Sequence, residues 1–183
     1  MDLNRKRMNA GITAEDNRSE LSAGSTVTLE ITAYGSEGQG IARHNGMAVF
    51  VPGAICGETV EAEIKKAAPS FAEAKLQKIL RPSAERVIPP CPHYSECGGC
   101  DILHMSYAEQ LRMKRETVRS AMERIGGFRG IEVLPCIGAD KPEHYRNKAV
   151  FQFANAEKTN KKNLRQVLSG YYEQKSHKLV PVE

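Results

Sequence analysis

The chain has 183 residues, 40% of them hydrophobic, and a formal net charge of +4. Those values fit one good-sized folded domain or two small ones and exclude a largely disordered chain. No apolar run reaches the roughly 18 residues that a membrane span needs, and five cysteines, an odd number with three in one cluster, make a poor disulfide framework, so a reducing, cytoplasmic setting is expected.

Residues 1–22 are polar, mixed in charge and without an apolar stretch of the secretory kind, and read as a flexible tail. From Thr26 to Tyr34 the residues alternate, with Val27, Leu29 and Ile31 on one face and Thr28, Glu30 and Thr32 on the other. That is the period of a half-buried strand. Asn45-Gly46 lies between Ile41-Ala42-Arg43 and Met47–Val51, a strong hairpin signal because both turn positions favour positive φ. Thr59–Ile64 alternates again, and Phe71–Ile79 supplies a last strand. Short strands at this spacing predict a small closed barrel over 23–82. Gly35, Gly38 and Gly40 read as turn and bulge glycines, because the stretch lacks the order of a phosphate loop and no helix follows it.

Pro82, Pro89, Pro90 and Pro92 mark a linker into Cys91-Pro92-His93-Tyr94-Ser95-Glu96-Cys97-Gly98-Gly99-Cys100. Three thiols so close are expected to share a metal or a cluster, with Gly98-Gly99 letting the backbone fold tightly. The fourth ligand is open. His104 would complete a zinc site of three cysteines and one histidine. A fourth cysteine would complete an iron–sulfur site, and Cys136 is a distant candidate for a substitute ligand. Cys56 reads as a small buried apolar residue of the barrel.

Ser106-Tyr107-Ala108-Glu109 matches a capping box. A helix is expected over 107–125, with Tyr107, Leu111, Val118, Met122 and Ile125 on one face and Gly126-Gly127 at its end. The cysteine segment and this helix make a second unit, 83–130. After it the chain reads as β, with strand candidates at Ile131–Ile137, Lys148–Phe153 and Leu179–Val182, in a third unit over 131–183. Between Lys141 and Lys178 nine basic residues face three acidic ones. That imbalance points to an anionic partner, most simply nucleic acid.

The blocks Gly38-Gln39-Gly40-Ile41-Ala42-Arg43, Val49-Phe50-Val51-Pro52-Gly53-Ala54 and Gly57-Glu58-Thr59-Val60 resemble a TRAM domain, an OB-like five-stranded barrel that binds RNA. Cys91, Cys97-Gly98-Gly99-Cys100, His104, Tyr107, Gln110 and Lys114 resemble the cluster-binding segment of the RNA uracil-5-methyltransferases. Tyr145-Arg146-Asn147-Lys148, Gly170-Tyr171-Tyr172 and Ser176-His177 with Val180 match the stretch that follows in that family. The likeness is to the iron–sulfur 23S rRNA (uracil-5-)-methyltransferases.

The resemblance implies a mainly β chain with some α structure: a TRAM barrel, a cysteine-rich segment with one helix, and the start of a mixed α/β domain. It implies a [4Fe-4S] cluster on Cys91, Cys97 and Cys100, with a fourth cysteine shortly beyond the segment matching Val180–Glu183. It further implies a Rossmann-like methyltransferase domain beyond these residues, which would bind S-adenosylmethionine and supply the nucleophilic cysteine and the base. No catalytic residue is therefore expected among the 183, and this chain alone is expected to be inactive.

In that family a flipped-out uracil is attacked at C6 and methylated at C5. Arg43, Lys65, Lys66, Arg146 and Lys148 are candidates for phosphate contact, and Phe50 and Phe71 for base stacking, with a place in the barrel core as the alternative for both rings. RNA, ribosomal in this reading, is the expected partner, with neither DNA nor membrane. The competing reading is a stand-alone RNA-binding TRAM protein with a zinc site.

Overall fold

The structure is a computed structural model that describes residues 21–159 and 165–182. The tail expected over 1–22 lies, except for its last two residues, outside the described residues, as do Lys161 and Lys162 of the basic stretch.

Alternation builds the first unit. Strands β1 (Thr26–Tyr34), β2 (Gly40–His44), β3 (Met47–Val51), β4 (Thr59–Ala67) and β5 (Phe71–Arg81) close into a barrel in the order β1-β2-β3-β5-β4. All the pairings are antiparallel except β3 with β5, which is parallel. Leu29, Ile31, Val49, Val51, Val60 and Ile64 fill the interior, and Ala42, Ala62, Ala72 and Ala74 provide the small positions that so narrow a barrel requires. Bulges between β4 and β5 bend both strands around the core. The β2–β3 turn takes positive φ at both predicted positions, 48° at Asn45 and 82° at Gly46.

Helix α1 (Tyr107–Arg124) follows the cysteine segment. Ser106 caps it by accepting from the Glu109 amide at 3.2 Å. Only half of the predicted capping box forms, because the Glu109 carboxylate accepts from Tyr34 and Arg112 instead. The face of α1 that packs on the barrel carries Glu109 and Met113. With Ile55, Met105, Tyr34 and Ile102, Met113 forms a second, smaller core.

The predicted apolar stripe lies on the opposite face. Its first members, Tyr107 and Leu111, meet the segment around Gly138, whereas Val118 and Ile125 are 52% and 88% exposed. Helical spacing located the stripe correctly but could not tell which side faces the barrel.

The last unit departs most from expectation. Residues 131–137 form no strand. They run extended beside α1, where the Arg115 Nε–H donates to the Val133 carbonyl at 2.6 Å and the Ala139 amide donates to the Tyr107 hydroxyl at 2.7 Å. The helix takes the place of a partner strand. The strand expected at 148–153 begins later, as β6 (Gln152–Thr159), and pairs with β7 (Arg165–Tyr172), which carries no clear alternation. β8 (Leu179–Pro181) completes an antiparallel sheet in the order β6-β7-β8.

Candidate functional site

One buried ion pair, Glu58–Arg86, and one hydrogen bond, from Tyr34 to Glu109, fasten the cysteine unit to the barrel. Glu58, 0% exposed, stands just before β4. Its carboxylate accepts from the Ile55 amide at 2.9 Å and from Arg86 Nε and Nη2 at 2.6 and 2.8 Å. Arg86 also donates to the Gly53 carbonyl at 2.7 Å. Burial pushes the Glu58 carboxyl up, but the Arg86 and amide hydrogen bonds outweigh it and hold the group below the usual carboxylate range. The second contact runs from the Tyr34 hydroxyl of β1, which donates to the Glu109 carboxylate of α1 and accepts from the Cys56 amide at 3.0 Å, while Arg112 of the same helix also holds that carboxylate. Burial, aided by Glu109, raises Tyr34 above the usual tyrosine range.

Between these clamps the linker pairs with the end of the cysteine segment. Arg86 bridges Met105, and the Val87 amide donates to the His104 carbonyl at 3.0 Å. At Gly38 a Cβ would lie 2.7 Å from Ile102 Cγ2, so a glycine there lets the barrel loop approach.

The cysteine loop is held from its other side by β7. The Gly98 amide donates to the Tyr172 carbonyl at 2.9 Å, and Cys97 bridges Glu173. A Cβ at Gly98 would lie 2.7 Å from the Tyr172 carbonyl oxygen, and one at Gly99 would lie 3.4 Å from the Tyr171 ring. Gly98 and Gly99 do not use positive φ. Both glycines lie in a turn, as expected, and Gly98 also leaves room for the Tyr172 carbonyl of the adjacent strand end.

Cys91, Cys97 and Cys100 are brought together in this loop. Burial raises the Cys100 thiol, and Cys91 and then Cys97 raise it further. Arg146 pulls the same group the other way. Among the described residues, no three His, Cys, Asp or Glu side chains converge on a single ion position.

His104, 3% exposed, has Nδ1 hydrogen-bonded to the Tyr94 hydroxyl and Nε2 without a hydrogen-bond partner. Burial and then Arg86 lower it to about 4, and its other charged neighbour is Glu58. Cys136 lies on the segment beside α1 and interacts weakly with the Ile137 carbonyl. Cys56 is half-buried at the clamp.

Of the basic candidates, Arg43 is held at the β2–β3 turn by donating to the Gly46 carbonyl at 3.0 Å. Lys65 pairs with Glu63 at 2.6 Å, Lys66 lies 5.9 Å from the Phe71 ring centre, and Lys148 is exposed. Phe50 and Phe71 are outside the core cluster and pack edge to face with centroids 6.0 Å apart.

Residues 20–77 match the family model described as the TRAM domain. This chain carries a TRAM domain. Over 159 residues it is 42% identical to a Clostridium tetani protein named uncharacterized RNA methyltransferase, a match covering 87% of this chain and 33% of that protein. A Halalkalibacterium halodurans protein, likewise named uncharacterized RNA methyltransferase, is 40% identical over 171 residues, covering 92% of this chain and 35% of its own length. The chain spans about a third of the length of these curated relatives. The solved Pyrococcus abyssi tRNA (uracil-54, C5)-methyltransferase, in complex with S-adenosyl-L-homocysteine, is 22% identical with a TM-score of 0.43, over 85% of this chain and 31% of its own.

The residues that join the TRAM barrel to the cysteine loop escaped sequence reasoning. Tyr34 and Glu109 are 75 positions apart and Glu58 and Arg86 are 28 apart, and no local pattern marks such pairs. Among the described residues no helix is long and apolar enough to cross a membrane.

Proposed function

We propose that this chain is the RNA-recognition part of an S-adenosylmethionine-dependent RNA (uracil-5-)-methyltransferase that forms 5-methyluridine in 23S rRNA. The observation that carries the reading is the 42% identity to a protein named RNA methyltransferase, which runs through the TRAM barrel and on over most of the chain. The uracil and ribosomal assignments rest on the resemblance of the Cys91–Lys114 and Tyr145–Lys148 blocks.

In this reading the barrel (23–82) and the later basic stretch hold RNA, with phosphates on Arg43, Lys65, Lys66, Arg146 and Lys148. The Glu58–Arg86 pair and the Tyr34–Glu109 hydrogen bond fix the barrel against the cysteine unit (83–130), so RNA bound to one is oriented relative to the other. The third unit (131–183) packs on the cysteine loop through β7.

Cys91, Cys97 and Cys100 would hold a [4Fe-4S] cluster. Three neighbouring thiols, two of which raise the third, are a donor set whose repulsion a cationic core relieves. The choice of a cluster over zinc rests on the resemblance of the Cys91–Lys114 block. The cluster would serve as a structural element that shapes the surface beside Arg146. S-adenosylmethionine would supply the methyl group in the longer protein.

The test is methyl transfer to 23S rRNA from labelled S-adenosylmethionine. The longer protein should form 5-methyluridine and this chain alone should form none. Product from the purified chain would overturn the domain reading, and methylation by the longer protein at another base would overturn the uracil assignment.

A further inference from the structure

The outer wall of the barrel carries a patch that neither the family match nor the relatives' names assign. Strand register places it. Met47, Val49 and Val51 of β3 point into the core, so Ala48 and Phe50 point out. By the same alternation Ile41 and Arg43 of β2, and Phe71 and Glu73 of β5, are outward.

The pairings line these residues up in two ranks. Ile41 is opposite Phe50, Phe50 opposite Glu73, and Glu73 opposite Lys66. In the next rank Arg43 is opposite Ala48, and Ala48 is opposite Phe71. The small Ala48 therefore forms the floor of a notch between a guanidinium and an aromatic ring. Its two walls stand two strand spacings apart, about 10 Å. Arg43 is steadied by the Gly46 carbonyl, and Phe71 by the edge of Phe50 and by Lys66 at 5.9 Å.

We infer that this notch binds one unpaired nucleobase, and the inference rests on the RNA-binding reading given above. A flat ring between an arginine plane and a phenylalanine face is the stacking geometry used for single-stranded RNA. Aromatic side chains on the outside of a barrel are otherwise a solubility cost. The flanking charge suits a strand rather than a protein partner, because Arg43 and Lys66 put two cations on the rim of the notch. Glu73, the one acid in the two ranks, offers an acceptor to a base N–H.

The experiment measures binding of a short fluorescein-labelled single-stranded oligouridylate to the whole chain by anisotropy. An abasic ribose-phosphate oligomer of the same length is the comparison. The unmodified chain should bind the base-bearing strand roughly five- to a hundred-fold tighter than the abasic one. Phe71→Leu should lose most of that difference and leave abasic binding and the melting temperature unchanged, whereas Arg43→Gln should lose the difference and also weaken abasic binding, because that guanidinium is a phosphate contact as well. Phe71→Tyr should retain it. Equal binding of the two oligomers by the unmodified chain would overturn the notch while leaving RNA binding through phosphates intact, and needs no variant. Unaltered preference in both Phe71→Leu and Arg43→Gln would overturn it as well. Failure to bind either oligomer would overturn the RNA-binding reading, and the notch with it.

Discussion

Replacing Arg86 by alanine tests the claim that the barrel and the cysteine unit are one rigid frame. The change leaves Glu58, which is 0% exposed, with only the Ile55 and Ser83 amides as donors. Removing one member of a buried pair leaves the other charge uncompensated and costs about 3–5 kcal/mol. Against a typical domain stability of about 5–15 kcal/mol, the variant should fold but unfold at a markedly lower urea concentration.

Acid gives the diagnostic. In the unaltered protein Glu58 titrates below its ordinary value, so its contribution is present above the unfolded carboxyl range, near pH 4.5, and is lost as pH falls through the folded value. Without Arg86, burial, the largest influence on the group, is opposed only by the Ile55 and Ser83 amides and should carry the folded carboxyl above its unfolded value. The variant then takes up a proton on folding, and the gap between the two proteins should narrow as pH falls from 7 towards 4.5. Urea titrations followed by circular dichroism at both pH values measure this. A loss under about 1 kcal/mol at pH 7, the range of an exposed pair, or a gap independent of pH, would refute the reasoning. Adding Glu58→Gln to Arg86→Ala should recover about 1–3 kcal/mol, because the two sites are coupled.

His104 is buried and lowered to about 4, so the unfolded chain takes its proton first. Stability tied to this ring should be complete above about pH 6.5 and decline towards pH 4, by about 3 kcal/mol in all. A His104→Gln variant should show a flatter pH profile in that window. Gly98→Ala forces a Cβ to within 2.7 Å of the Tyr172 carbonyl oxygen; it should cost about 1–3 kcal/mol and speed alkylation of the loop cysteines, read by mass spectrometry. Cys97→Ser and Cys100→Ser should each abolish bound iron, measured by metal analysis after anaerobic reconstitution, and metal retained in both would place the ligands elsewhere.

The barrel was legible in the sequence because its signals are local. Alternation in 26–34 and 59–64 and the Asn45-Gly46 turn each depend on residues a few positions apart. The cysteine loop was legible from spacing for the same reason. The side of α1 that meets the barrel was not, because Glu109 becomes a buried residue only when Tyr34 and Arg112 reach it. The β signal at 131–137 was real in composition, but a strand needs a partner edge, and those residues lie beside a helix. β7 was missed because its pattern around Gly170 fits pairing with β8, where a Cβ would lie 1.9 Å from the Val180 carbonyl oxygen. Phe50 and Phe71 could be placed outside the core only by register.

The most direct test of the central claim is the salt dependence of binding between this chain and a structured ribosomal RNA fragment. If Arg43, Lys65, Lys66, Arg146 and Lys148 each meet a phosphate, the log–log slope should be about −3.5 or steeper, which weakens binding roughly a hundred-fold between about 50 and 200 mM salt. Affinity unchanged over that range would contradict RNA recognition by this chain.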